Sequence, residues 1–149
     1  SRTYGGSRED SANSIVETPD GGYYVAGVAQ SVNGDISYNR GKSDSWLLKL
    51  DRHGDIIWQK TFGGSKEDSI NSIKLTQDGG CIMVGSSHSS DGDVGRKRGR
   101  ADIWIVKVSS MGDIDWQTTT GGKSLDNAVI IFAVKPIFLK IGKIGFTSR

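Results

Sequence analysis

The sequence predicts an all-β fold: a β-propeller-like stack of four-stranded antiparallel blades, with two full units and a partial third, which makes an incomplete propeller. A motif that begins at Thr3 returns at Thr61, an offset of 58 residues, and begins again at Thr119. Glycine is abundant, at 21 of 149 residues, and proline is rare, at 2. Apolar residues follow the two-residue period of strands without a helical period, and four strands per unit are typical of a propeller blade.

The repeat divides the chain into units. Residues 3–11 and 61–69 share a Gly-Gly pair followed by Glu-Asp-Ser, and the register holds without a gap as far as Gln59 and Gln117. A four-stranded sheet cannot bury two apolar faces alone, so each unit has to stack against the next. We assign a first blade to residues 3–60, a second blade to residues 61–118, and a partial third repeat with a divergent basic tail to residues 119–149.

Each full repeat is predicted to form two hairpins. Proline and glycine mark the turn at residues 19–22, and residues 77–80 repeat it. The third strand of each repeat is apolar on both faces, which predicts an interior position in its sheet. The predicted strands are Ser14–Thr18, Tyr23–Ala29, Ser45–Leu50 and Ile56–Phe62, then Ile73–Thr76, Cys81–Ser86, Ile103–Val108 and Ile114–Thr120.

Side chains that recur at the repeat offset are predicted to stabilise the fold. The tryptophans are large enough to dominate the packing between blades, with a sugar-stacking platform as the alternative. The aspartates, including Asp44 and Asp102, are expected to accept hydrogen bonds from turn groups, with a ring of carboxylates around a cation as the alternative. Gly27 and Gly85 lie within strands, which indicates close backbone approach near the propeller axis. The main recurring residues are Trp46, Trp104, Trp58, Trp116, Asp10, Asp68 and Asp126.

Two long polar loops, Gln30–Ser43 and Ser87–Ala101, are expected on the same side of the stacked blades because the offset is constant. Asn and Asp around a glycine are the oxygen ligands that Ca²⁺ prefers, although turn formation also explains them; no other cofactor is expected. A dense basic segment can bind an anionic glycan, with a merely solvated loop as the alternative. Candidate binding residues are Asp35, Asp93, Arg96, Lys97, Arg98 and Arg100, and candidate metal ligands are Asn33, Asp35, Asp91 and Asp93.

The sequence contains no recognisable catalytic motif. There is no Gly-x-Ser-x-Gly nucleophile elbow, and His53 and His88 have no second His or Cys at metal-ligand spacing. Cys81, the single cysteine, falls within a strand and is interpreted as a small core residue. Acidic residues recur with the repeat, whereas a catalytic site needs a unique cluster. We therefore expect no enzymatic activity; a hydrolytic enzyme with a loop-borne acidic site is the alternative.

Charge and hydropathy narrow the classes of partner. The formal net charge is +2, and residues 119–149 hold five basic residues against one acidic residue. A nucleic-acid-binding protein normally carries its positive charge on the folded body, so nucleic acid is not an expected partner. No apolar run approaches the roughly 18 residues that a membrane-spanning helix requires, so no membrane span is expected.

Residues 46–51, 54–64, 67–69 and 78–80 resemble the tandem propeller-type repeats of secreted or surface bacterial proteins, which are commonest in Bacteroidetes and mostly uncharacterised. The resemblance covers residues 3–126. It implies a propeller, an extracellular or cell-envelope location, and no particular catalytic residues. The chain departs from that family in its small number of repeats, its lack of a signal peptide and its tail.

The sequence after Asp126 loses the repeat pattern. Residues 128–146 are β-rich and basic, and three interpretations stay open: a hairpin that caps the second blade, a strand pair that binds a membrane surface or a partner, and a reading-frame slip or truncation in a longer repeat protein. Two and a half blades cannot close a ring alone. Self-association, or stacking against the blades of a parent protein, is therefore expected.

These observations predict a non-catalytic scaffold or binding module of a secreted or surface bacterial protein. We expect it to bind a protein or a glycan through the long polar loops. The specific expectation is weak binding of acidic polysaccharide that decreases as salt screens the charges.

Overall fold

The computed structural model describes residues 1–96 and 99–121. The predicted tail, Asp126, Lys97 and Arg98 lie outside the described residues. Within the described ranges there is no helix, and so none that is long and apolar enough to cross a membrane. The strands are β1 (Asp10–Glu17), β2 (Tyr23–Ala29), β3 (Asp44–Leu50), β4 (Ile56–Phe62), β5 (Asp68–Leu75), β6 (Cys81–Ser87), β7 (Asp102–Val108) and β8 (Ile114–Thr120).

The strands form two antiparallel sheets, each of which is a simple meander. The first sheet has the order β1-β2-β3-β4, and the second has the order β5-β6-β7-β8. The all-β class, the four-stranded units and the interior positions of β3 and β7 are therefore confirmed. Strands β2, β4 and β8 have the predicted limits, and β3, β6 and β7 differ from them by one residue at one end.

The predicted starts of β1 and β5 are wrong. β1 begins at Asp10, and β5 begins at Asp68, four and five residues before the predicted starts. A bulge between Ala12 and Ser14 shifts the register of β1 against β2, and the same shift recurs in β5. An extra residue breaks the two-residue alternation, so the hydrophobic pattern begins only after the bulge.

Gly27 and Gly85 lie opposite these bulges. A Cβ on Gly27 would overlap the carbonyl oxygen of Ser11, and a Cβ on Gly85 would overlap the carbonyl oxygen of Ser69. The predicted close backbone approach is confirmed, and it occurs between neighbouring strands of one sheet. Only a residue without a Cβ allows the bulged strand to come this near its partner.

The two sheets pack against each other through one apolar layer. Trp104 and Val106 of the second sheet are fully buried there, and Trp58 of the first sheet packs at its edge, 5.8 Å from the Tyr24 ring. Because side chains alternate along a strand, the remaining apolar residues of each sheet point to the opposite face. The buried members are Tyr24, Ala26, Leu47 and Phe62 from the first sheet, and Ile70, Ile73, Cys81, Met83, Val94, Trp104, Val106 and Val108 from the second sheet and its loop.

A buried lysine in each sheet donates a hydrogen bond to a side chain of the turn between the first two strands. Lys49 Nζ donates to Thr18 Oγ1 at 2.7 Å, and Lys107 Nζ donates to Asp78 Oδ2 at 2.8 Å. Hydrogen bonding from the Thr18 hydroxyl lowers the pKa of Asp20 to about 2, and bonding from Lys107 lowers the pKa of Asp78 to about 2. These carboxylates remain charged at neutral pH. They balance the positive charges of the two buried lysines.

The close approach at Gly85 gives a stability prediction. We expect Gly85→Ala to lower the free energy of unfolding by at least about 3 kcal/mol, because the Ser69 and Ile70 backbone cannot move away without breaking the β5–β6 pairing. Gly79→Ala is the matched control, since its Cβ would lie 3.7 Å from the nearest atom and only its φ of +82° is unfavourable, costing about 1 kcal/mol. Urea denaturation measures both values, and equal losses would contradict this account.

Candidate functional site

The first long loop is hydrogen-bonded to the Gly-Gly turn that precedes β1. The loop joins β2 to β3 over residues 30–43. Its Asp35 Oδ2 accepts a hydrogen bond from the Gly5 amide at 2.9 Å, and its Asn33 Oδ1 accepts one from the Ser7 amide at 2.9 Å. The oxygens considered as calcium ligands therefore bind backbone amides.

The second long loop repeats this arrangement 58 residues later. Asp93 Oδ2 accepts from the Gly63 amide at 3.1 Å, and Asp91 Oδ1 accepts from the Ser65 amide at 2.8 Å. Within residues 1–96 and 99–121, no three His, Cys, Asp or Glu side chains form a group that could hold a metal ion. Asn or Asp recurs at these positions because its side-chain oxygen accepts a hydrogen bond from the Gly-Gly segment of the same repeat.

Asp10 is the polar anchor at the start of the first sheet. It accepts hydrogen bonds from the backbone amides of Gly6 (2.8 Å), Gln30 (3.0 Å) and Ser31 (3.0 Å), and from the Ser31 hydroxyl (2.6 Å). Burial raises the pKa of Asp10, but these hydrogen bonds outweigh that effect and hold the pKa below its usual value. The anchor thus joins the Gly-Gly turn, β1 and the long loop.

Asp68 is the equivalent anchor in the second sheet, and it lies in a different environment. It accepts from the Gly64 amide at 2.8 Å and from the hydroxyls of Ser87 and Ser89. Asp68 is 1% exposed, whereas Asp10 is half-buried. The difference arises because the first sheet covers Asp68: its amide donates to the Ser43 carbonyl at 2.8 Å.

Asp44 lies beside Asp68 at the junction of the two sheets and is also 1% exposed. Its Oδ2 accepts from the Arg40 amide at 2.7 Å, and its Oδ1 has no hydrogen-bond partner among the described residues. A Cβ on Gly63 would lie 2.9 Å from Asp44 Oδ1 and 2.7 Å from Asp68 Oδ2, so the two carboxylates face the same small space. Burial raises the pKa of Asp44 to about 6, and the charge of Asp68 adds to the increase.

Arg40 connects the two long loops. Its Nη1 lies 2.9 Å from Asp93 Oδ2 and donates to the Gly63 carbonyl at 3.3 Å, while its guanidinium is 5.6 Å from the centre of the Tyr38 ring. The predicted placement of both loops on one side agrees with this contact. Sequence reasoning did not single out Arg40, although an arginine also stands 58 residues later at position 98.

The four tryptophans occupy unequal environments. Trp104 is fully buried between the sheets, and Trp46 is 4% exposed on the outward face of the first sheet. The Trp46 indole donates to Gln59 at 3.1 Å, and the Trp104 indole donates to Gln117 at the same distance. Trp116, the equivalent of Trp58, is 38% exposed on the second sheet.

The other candidate side chains lie apart from one another. Arg96 and Arg100 are exposed on the second loop, and the Arg96 carbonyl accepts a hydrogen bond from Thr119 Oγ1 at 2.8 Å. Cys81 is fully buried, and burial raises the pKa of its thiol to about 12, which removes it as a nucleophile. His53 lies in the β3–β4 turn and His88 follows β6, so the structure brings neither into a group with the buried thiol.

Comparison with known proteins gives one distant similarity. No family model matches the chain. The chain is similar to the regulatory protein FlaEY of Caulobacter vibrioides, with 25% identity over 125 residues. The match covers 73% of this chain and 13% of that protein, so the chain spans about an eighth of the relative's length.

The two anchors give a matched pair of mutations. At pH 5, where Asp44 is protonated, Asp68→Ala should lower the free energy of unfolding by about 3 kcal/mol or more, because buried donors lose their acceptor. Asp10→Ala should cost about 1 kcal/mol, because the freed amides reach water. Chemical denaturation of both variants measures the difference. Equal costs would mean that coverage by the first sheet does not set the strength of the anchor.

The raised pKa of Asp44 gives a pH prediction. The native state holds the Asp44 proton more tightly than the unfolded chain does, since the ordinary pKa of 3.8 is raised to about 6. This contribution to stability is complete below about pH 4 and is lost as the pH rises through 6, to a total of about 3 kcal/mol. Asp44→Asn removes it.

The test is the difference in unfolding free energy between Asp44→Asn and the wild type, measured from pH 4 to pH 8. Other carboxylates titrate in both proteins and cancel in the difference. We expect the variant to gain on the wild type steadily between about pH 4 and about pH 6, with little further change above about pH 7. A difference that stays constant with pH would show that Asp44 is ionised in the native state throughout.

Proposed function

We propose that this chain is a non-catalytic scaffold and binding module of β-propeller type, part of a secreted or surface bacterial protein, and that it binds a protein or glycan through its long loops. One observation carries the proposal: the polar residues that recur in the sequence make the same structural hydrogen bonds in both repeats. Asp35 and Asp93 both accept from a glycine amide, and Asp10 and Asp68 both anchor a Gly-Gly turn.

The propeller assignment is supported by the way the sheets are built and stacked. Each is a four-stranded meander, and one apolar layer joins them. Blades of this kind stack about a common axis and place equivalent loops on one surface. The secreted or surface location is supported by the resemblance of the repeats to those of bacterial surface proteins.

The non-catalytic assignment is supported by what the acidic residues do. A general acid or base needs a carboxyl group that is free to reach substrate, and a unique partner that tunes its pKa. Asp10, Asp35 and Asp93 instead accept hydrogen bonds from backbone amides, and Asp68 is covered by the first sheet. A loop-borne hydrolytic site would need an acid outside this pattern.

The binding surface that we propose is formed by residues 30–43 of the first loop and by residues 88–96 and 99–101 of the second loop. The Arg40–Asp93 ion pair joins the two loops. Tyr38 is 57% exposed there, and Arg96 and Arg100 are exposed. An exposed aromatic ring on one loop and exposed arginines on the other suit a polysaccharide that carries sulfate or carboxylate groups.

The test is a titration with a heparin-like sulfated polysaccharide at low and high salt. We expect weak binding that falls by roughly tenfold between 50 and 200 mM salt, as charge-dominated contacts do. The double variant Arg96→Ser/Arg100→Ser should abolish it. Arg52→Ser is the matched control, because Arg52 is an exposed arginine in the β3–β4 turn at the opposite end of the strands.

Two results would contradict the glycan assignment: no binding at low salt, or binding that the double variant leaves unchanged. Loss of binding in Arg52→Ser would also contradict it, because the contact would then be nonspecific attraction to any surface arginine. Turnover of a substrate, abolished by replacing a single acid, would favour the hydrolase instead.

A further inference from the structure

The two sheets present outward faces of different chemistry. The face of the first sheet that points away from the second sheet, here called the head face, includes Ile15, Tyr23, Val25 and Ile56. Three further residues of this face are already buried, and Tyr4 from the segment before β1 packs against them: Trp46, Leu48 and Leu50. The face of the second sheet that points away from the first, here called the tail face, includes Ile82, Ile105 and Trp116. Strand alternation places these residues opposite the members of the shared apolar layer.

The head face resembles the face of the second sheet that is buried against the first sheet. Ile15 is 63% exposed, whereas Ile73, its equivalent in the second sheet, is 7% exposed because it packs on the first sheet. Tyr23 and Val25 are half-buried, whereas their equivalents Cys81 and Met83 are fully buried. The head face thus has the pattern of a surface that receives a sheet.

The tail face resembles the face of the first sheet that packs on the second sheet. Tyr24 and Leu47 are fully buried against the second sheet, whereas their equivalents Ile82 and Ile105 are half-buried. Trp58 packs beside Tyr24, whereas its equivalent Trp116 is 38% exposed. The tail face therefore carries apolar residues at the positions that, in the first sheet, pack on the second sheet.

We infer that the head face of one copy of this chain binds the tail face of a second copy, sheet against sheet. The inference rests on the stacked-sheet architecture of the proposed function. Each copy offers two different surfaces, so the contact is head-to-tail, and it builds a closed ring or an open chain according to the rotation per copy. Such a contact covers Ile15 and Trp116 together.

The charged positions of the contact between the sheets also recur at the 58-residue offset. Arg40 pairs with Asp93 across the existing contact between the sheets. The positions equivalent to these two are Arg98 and Asp35, and Asp35 lines a small cavity together with Ile56 of the head face. Arg98 lies outside the described residues, and only its sequence position is used. The sequence therefore repeats the basic and acidic positions of this pair at the 58-residue offset.

The test uses one charged substitution on each face, with sedimentation velocity as the readout. We expect the wild-type chain to associate as its concentration rises. Ile15→Glu and Trp116→Glu should each sediment as a single chain of 16.0 kDa, because each lacks one of the two surfaces. An equimolar mixture of the two variants should give a dimer and nothing larger, because only the intact tail of one and the intact head of the other can meet.

Met111→Glu is the matched control, because Met111 is 73% exposed in the β7–β8 turn and away from both faces; it should associate like the wild type. Circular dichroism and a cooperative melt check the fold of each variant, and Ile82→Glu on the same face replaces Trp116→Glu if the latter does not fold. A wild-type chain that stays monomeric at its highest soluble concentration overturns the inference. So does a mixture that stays monomeric, or a single variant that still associates.

The same variants separate this inference from the loop-binding proposal. Ile15 lies in β1 and Trp116 in β8, outside the loops that carry Arg96 and Arg100. Polysaccharide binding that persists in a monomeric variant supports the loops as the binding surface. If a variant no longer associates but still binds the polysaccharide, the substitution has affected the sheet faces and not the loop surface.

Discussion

A four-stranded sheet with apolar side chains on both faces has to be covered on both sides, and most features of this protein follow from that requirement. The shared layer around Trp104, Tyr24 and Leu47 covers one face of each sheet. Its formation brings the start of β5 under the first sheet, which buries Asp68 and Asp44 together. Hydrophobic packing thus decides which of two equivalent aspartates is open to water and which is enclosed.

The polar network is arranged around that packing. Buried backbone amides and lysines need partners, and the repeat supplies them with Asp and Ser at fixed positions. Among the described residues, Asp44 Oδ1 and Ser45 Oγ are exceptions, since both are buried without a hydrogen-bond partner, and Asp44 Oδ1 also lies beside another carboxylate. The enclosure that stabilises the sheet junction therefore makes this carboxyl group hold its proton to an unusually high pH.

Much of the fold could be predicted because the 58-residue offset repeats every local signal. Strands such as Tyr23–Ala29 are apolar runs that follow a clear turn signal, and Gly27 marks a close approach. The starts of β1 and β5 were missed because a bulge interrupts the alternation. Arg40–Asp93 and Asp44–Asp68 were missed for a different reason: their members come from different repeats and are not equivalent positions, so the offset does not relate them. Contacts between units depend on how the sheets stack, which local patterns do not encode.

The most direct test of the central claim, that one apolar layer makes the two sheets a single cooperative unit, is native-state amide hydrogen exchange. The protected amides of β3 and β7, the interior strands of the two sheets, report on each sheet separately. If the sheets form one unit, both sets of amides exchange with the same free energy of opening and respond together to low concentrations of denaturant. If one sheet opened several kcal/mol more easily while the other stayed protected, the sheets would be independent and the account would be contradicted.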